Sequence, residues 1–162
     1  MAKRRLQVAE RASGWPESSP VHLLDVNVLL ALLDPLHVHH DRAHVWFAEA
    51  GARGWASCPI TQNGALRIMA NPRYANPVGS VGAAAEVLAG LCAHPAHHFW
   101  PDAPSLLDSP RVLRSRLLSS AQVTDSYLLA LAVDQGGCLA SFDRRLVTDA
   151  VQGGAEALRL IP

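Results

Sequence analysis

VHLLDVNVLLALLD, residues 21–34, sets the carboxylate of Asp25 between two apolar runs. The first run is short enough for a buried strand. The second has the length of a brief helix, and Pro35 ends it. Between them, Asp25-Val26-Asn27 reads as a turn. A charged group buried without a partner costs several kcal/mol. Asp25 therefore needs a metal ion, a hydrogen-bond network or a helix N-terminus, or else it is only an Asx-turn joining strand to helix. Asn27, two residues on, can hold the turn or hydrogen-bond a metal-bound water.

The pattern continues on the C-terminal side. A helix is predicted over 39–53, stopped by Gly54, and a short strand over 55–57. Pro59 and Thr61 open a helix that runs to Ala70, and Pro72 closes it. An Ala-rich helix follows over 79–92 and a strand over 98–100. Residues 102–110 read as loop and 112–118 as helix. Thr124 is predicted to cap a helix over 125–135, ended by Gly136-Gly137. Strands are expected at 138–140 and 158–161. Short apolar strands alternating with helices make an α/β fold. The expected architecture is a three-layer α/β/α sandwich around a twisted, mostly parallel sheet of four to five strands. Residues 1–20 read as a flexible extension with four basic and two acidic residues, and 21–162 as one domain. A basic arm that touches nucleic acid is the sharper reading of the extension.

Ligands of open parallel sheets bind beyond the carboxyl ends of the strands. Asp25 and Asp143 both follow predicted strands directly, and Asp125 opens a predicted helix. Taken singly, Asp125 fits a helix N-terminus and Asp143 a turn residue paired with Arg144 or Arg145. Taken together, three carboxylates at one end of a charge-poor sheet need a cation against mutual repulsion. Mg2+ or Mn2+ suits an all-oxygen set and keeps open positions for water and phosphate. Such a site activates water and offsets the charge of a phosphodiester.

Composition narrows the chemistry. The 162 residues carry 14 basic and 14 acidic side chains, and 17% are charged, against an ordinary ~25%. That balance excludes a disordered chain and a binder that holds nucleic acid by bulk positive charge. Lys3 is the only lysine. A Schiff base, a receiver domain and a haloacid-dehalogenase-type phosphatase all need a later lysine and are disfavoured. No glycine-rich turn follows the first strand, so a nucleotide-binding Rossmann domain fails too. Cys58, Cys92 and Cys138 form no metal or redox motif and suit a reducing cytoplasm. The chain shows neither a signal peptide nor a membrane span.

LLDVNVLLALLD, CPITQNGALRIMANP, VTDSYLLALAVDQGGCLASFD and the closing LRLIP resemble the PIN-domain family. The likeness is to VapC-type toxins of bacterial toxin–antitoxin pairs, of a kind common in mycobacteria, and it covers residues 21–162. The resemblance implies a Mg2+-dependent endoribonuclease with Asp25, Asp125 and Asp143 as catalytic metal ligands. It implies an RNA substrate, a cognate antitoxin that obstructs the site, and a homodimer. One departure stands out: the family often has a glutamate after the threonine of the third segment, where this chain has Gln62. Gln62 is taken as a catalytic candidate that orients a metal-bound water without adding charge. The same departure keeps open a PIN domain that binds RNA or a protein without cutting it.

Thr124 and Ser141 are supporting candidates that could position a carboxylate or a phosphate. Arg67, Arg73, Arg111 and Arg114 are candidate RNA contacts, with Arg116 adding to the basic patch. His40 and His44 have helical spacing for zinc but lack an accompanying Cys or acid, so surface or RNA contact is the preferred reading. Trp46 and Trp100 are expected in the core.

Overall fold

The computed structural model describes residues 19–162, so the extension predicted for 1–20 lies outside the described residues except for its last two. Strands β1 (His22–Leu24), β2 (Trp55–Ser57), β3 (His97–Phe99), β4 (Cys138–Ser141) and β5 (Leu158–Leu160) form one sheet in the order β3-β2-β1-β4-β5. Every pairing is parallel. The chain steps outward from β1 to β2 and β3, then returns to place β4 on the other side of β1. The crevice above β1 and β4 is therefore the topological switch point.

Helices cover both faces because successive strand residues point oppositely. Leu23, Ala56 and Leu139 pack with Leu128, Leu129 and Leu131 of α5 (Gln122–Asp134). Leu24, Trp55 and Ala140 face the other way. There they meet α1 (Val26–Leu33), α2 (His40–Glu49), α3 (Pro59–Met69) and α4 (Val81–Cys92). A short α6 (Gly154–Ala157) leads into β5. The α/β/α sandwich is as expected, with a sheet that is wholly rather than mostly parallel.

Four local expectations fail. Residues 112–118 are not a helix. The chain at Val112 pairs antiparallel with Val151, the Leu113 N–H donates to Ala150 O, and only Arg114–Arg116 form a 3-10 turn. This outside partner takes the backbone groups a helix would have used. Thr124 is not a cap, because α5 starts at Gln122 with Ala121 in the cap position. The Gln122 side chain reaches back instead, its Oε1 accepting from the N–H groups of Leu118 (2.9 Å) and Ser119 (3.0 Å). The 39–53 helix ends at Glu49 and gives way to a 3-10 turn over Gly51–Arg53. Trp46 is half-buried, whereas Trp55 is fully enclosed and Trp100 is buried as predicted.

Candidate functional site

Asp25 follows the last residue of β1 and caps α1. Its N–H donates to Ala140 O of β4 at 3.0 Å, its Oδ1 accepts from the Val26 N–H at 2.7 Å, and its carbonyl accepts from Val28. The sequence thus makes strand end, cap and carboxylate out of one residue. Oδ2 accepts from the Ser141 hydroxyl at 2.7 Å. Ser141, fully buried at the end of β4, also accepts from Asn27 Nδ2 at 3.3 Å and from the Asp143 N–H at 3.0 Å. One hydroxyl therefore joins Asp25, Asn27 and Asp143 across the switch point. Asp143 is held further by the Arg145 N–H, which donates to its Oδ1 at 2.8 Å.

Asp125 comes from the first turn of α5. Burial pushes its pKa up to about 6, and the charges of Asp25 and Asp143 add to the rise. Burial likewise raises Asp25, opposed by hydrogen bonds from Ser141 and Val26 and reinforced by the charge of Asp143. The three carboxylates therefore lie within electrostatic reach of one another, and ionising all of them costs free energy.

Beside Asp25 is a pocket of about 460 Å³, lined by Val26, Ile60, Asn63, Gly64, Arg67, Ile68 and Thr124. On α3, Ile60, Asn63–Gly64 and Arg67–Ile68 recur at helical spacing, so one face of that helix forms the wall. Gly64 permits this approach: a Cβ there would stand 2.7 Å from Val26 Cγ2.

Gln62 lies on a different face of α3. Its amide donates to Ser57 Oγ at 2.9 Å, and it lines a separate cleft with Leu66, Leu88 and Cys92 against α4. About 100° of helical rotation separates it from Asn63, so Asn63 and not Gln62 lines the pocket beside Asp25, while Gln62 stands at the carboxyl end of β2. Asn63, which sequence reasoning missed, takes the place in the wall. The periodic Ile60–Asn63–Arg67 stripe was the signal that could have found it.

The arginines divide similarly. Arg67 lines the pocket, is exposed, and has no ion-pair or hydrogen-bond partner among the described residues. Arg73 is exposed in the turn after α3, and Arg114 is exposed in the 3-10 turn. Arg111 is instead spent on an ion pair with Asp134 at the far end of α5. His40 Nδ1 lies 2.8 Å from Ala31 O and His44 Nε2 lies 3.0 Å from Leu32 O, so both rings close the C-terminal end of α1. All three cysteines are free thiols.

Among the described residues, no three His, Cys, Asp or Glu side chains form a ready-made chelating cluster. The donor chemistry nevertheless fits Mg2+ or Mn2+. The available groups are hard carboxylate oxygens, and Mg2+ is usually bound by one or two carboxylates with water and phosphate completing the shell. Asp25, Asp125 and Asp143 are the residues that could hold it. Asn27 and Ser141 act behind Asp25, and Thr124 is placed at the pocket rim.

A parallel five-stranded α/β domain with acids gathered at its switch point is of the PIN type. No protein-family model matches the chain. It is similar to Ribonuclease VapC44 of Mycobacterium tuberculosis (strain ATCC 25618 / H37Rv), with 51% identity over 134 residues, 83% of this chain and 94% of that protein. Ribonuclease VapC39 of the same strain is 40% identical over 84% of this chain and 98% of its own length. Ribonuclease VapC38 is 39% identical over 80% and 90%. The chain belongs to the VapC ribonuclease family.

Proposed function

We propose that the protein is the ribonuclease toxin of a toxin–antitoxin pair and cleaves RNA phosphodiester bonds at the Asp25 pocket. The observation that carries this reading is Asp25 at the switch point, tied through the Ser141 hydroxyl to the Asp143 N–H and bordering a pocket that also presents an unpaired Arg67. Family membership supplies the reaction class.

Bound Mg2+ or Mn2+ would lower the pKa of water and offset the charge on the scissile phosphate. The chain's own residues do the rest. Ser141 fixes the direction of the Asp25 carboxylate, and Asn27 and the Asp143 N–H fix the hydroxyl of Ser141. Arg67 supplies the positive charge an RNA phosphate needs.

A cytoplasmic protein, a self-associated dimer and an antitoxin that covers the acids complete the proposal. Free thiols suit that compartment, and no helix among the described residues is long and apolar enough to cross a membrane. The test is RNA-end sequencing after brief expression, with purified protein assayed in Mg2+ and in EDTA. Asp25→Asn is expected to abolish cleavage and growth inhibition while the circular dichroism spectrum stays unchanged. Full toxicity of that variant would overturn the site.

A further inference from the structure

The pocket beside Asp25 is larger and more apolar than a phosphate needs. A phosphodiester is satisfied by charge and hydrogen-bond donors, yet Val26, Ile60 and Ile68 contribute hydrocarbon to the walls. All three are half-buried, so their exposed parts await a partner with an apolar face. The volume, about 460 Å³, lies within the ~300–1,000 Å³ of small-molecule sites. Asn63 adds one amide, exposed and without a hydrogen-bond partner among the described residues. Arg67, one helical turn further along α3, adds one positive charge.

Apolar walls, two side chains that both donate and accept hydrogen bonds, Asn63 and Thr124, and an adjacent cation match a nucleotide. An RNA base is flat and largely apolar on its faces, carries donors and acceptors on its edge, and is flanked by phosphate. We propose that this pocket receives one unstacked base next to the bond that is cut, with Asn63 reading its edge and Arg67 holding the neighbouring phosphate. The inference rests on the ribonuclease reading and sharpens it. The substrate is single-stranded or looped RNA, because a base inside a duplex cannot enter a side pocket, and its identity is selected at one position. Asparagine is suited to the task, since its amide presents a carbonyl acceptor and an NH2 donor side by side.

A randomised single-stranded RNA pool, cut by the Mg2+-loaded protein and sequenced at its ends, tests the proposal. Wild type is expected to favour one base beside the cut and to spare the same sequence when annealed to its complement. Asn63→Asp replaces the donor with a second acceptor, and Asn63→Ala removes both. Each should change the preference at that position by about tenfold, the scale of a bidentate base contact. Other positions, and the melting temperature, should stay the same because Asn63 is exposed. Ile68→Ala should weaken discrimination at the same position. Cleavage with an unaltered base profile in both Asn63 variants would overturn the pocket alone. So would a uniform loss at every base, or equal cutting of the duplex. Absence of cleavage by wild type, or undiminished cleavage by Asp25→Asn, would overturn the ribonuclease reading and the pocket with it.

Discussion

The Ser141 hydroxyl has one proton to give and gives it to Asp25, while two donors, Asn27 Nδ2 and the Asp143 N–H, point at its oxygen. Each bond lies at the junction of β1 and β4, where no water can substitute because Ser141 is fully buried. Ser141→Ala therefore leaves several polar groups short of a partner, at a cost of about 1–3 kcal/mol. It also frees the Asp25 carboxylate to turn. Loss of a partner behind a metal-binding group typically lowers metal affinity or activity by about 10–100-fold. Urea unfolding and a Mg2+ titration of cleavage check the two effects separately, and a variant with wild-type Mg2+ dependence would remove Ser141 from its positioning role. At this scale Asp25 stands out in the sequence because it interrupts apolar runs, whereas Asp125 and Asp143 gain weight only beside it. The face of α3 on which Gln62 lies was not legible. The neighbouring Thr61 is buried and pairs with Cys58, which fixes the rotation of α3, and nothing local in the sequence states that rotation.

Elements position the acids by their starting points. The start of α5 depends on Gln122, which is buried and gathers the N–H groups of Leu118 and Ser119 into the first turn. Gln122→Ala should cost about 1 kcal/mol, the low end for unmade bonds, because Leu118 and Ser119 are exposed and water can replace part of the loss. The first turn of α5 should then fray and loosen Asp125. Amide exchange should speed up at 118–124 but not in β4, and cleavage should fall although the core is intact. Unchanged exchange there would show that the turn is held by other contacts. The strands and α1, α3 and α4 could be read in advance from apolar runs, Pro and Gly. The 112–118 segment could not. Its apolar pairs, Val112-Leu113 and Leu117-Leu118, flank Arg114-Ser115-Arg116 at a spacing that suits a helix, but its backbone partners at Ala150 and Val151 are nearly forty residues away. The β3-β2-β1-β4-β5 order is likewise a matter of long-range packing.

At the scale of the whole molecule, the neutral charge total conceals an acidic centre in which the charge of Asp143 adds to the raised pKa of Asp25, and the charges of both add to that of Asp125. The sign of the consequence can be worked out from Asp125. Its pKa is about 6 in the folded protein, above the ordinary aspartate value of 3.8. Between those values the folded state holds a proton that the unfolded state has released. The metal-free protein therefore has this contribution to stability in full below about pH 4, and loses it as pH rises through 6. Asp25, raised in the same direction, adds to the loss. His22, His37 and His97 act oppositely: burial lowers their pKa, so they favour the folded state as pH rises through the same region. A single melting curve thus mixes both signs, and the informative quantity is the difference between wild type and Asp125→Asn. In EDTA, the melting temperature of wild type relative to Asp125→Asn should fall from pH 5 to pH 7.5. Mg2+ should reverse that fall, because a bound cation stabilises the ionised acids and must compete with the proton at low pH. The Mg2+-induced rise in wild-type melting temperature should therefore be small at pH 5 and grow through pH 7, with a much weaker trend in Asp125→Asn. A Mg2+ effect independent of pH, and equal in the two proteins, would remove Asp125 from the metal site and leave the neutral total without a hidden acidic centre.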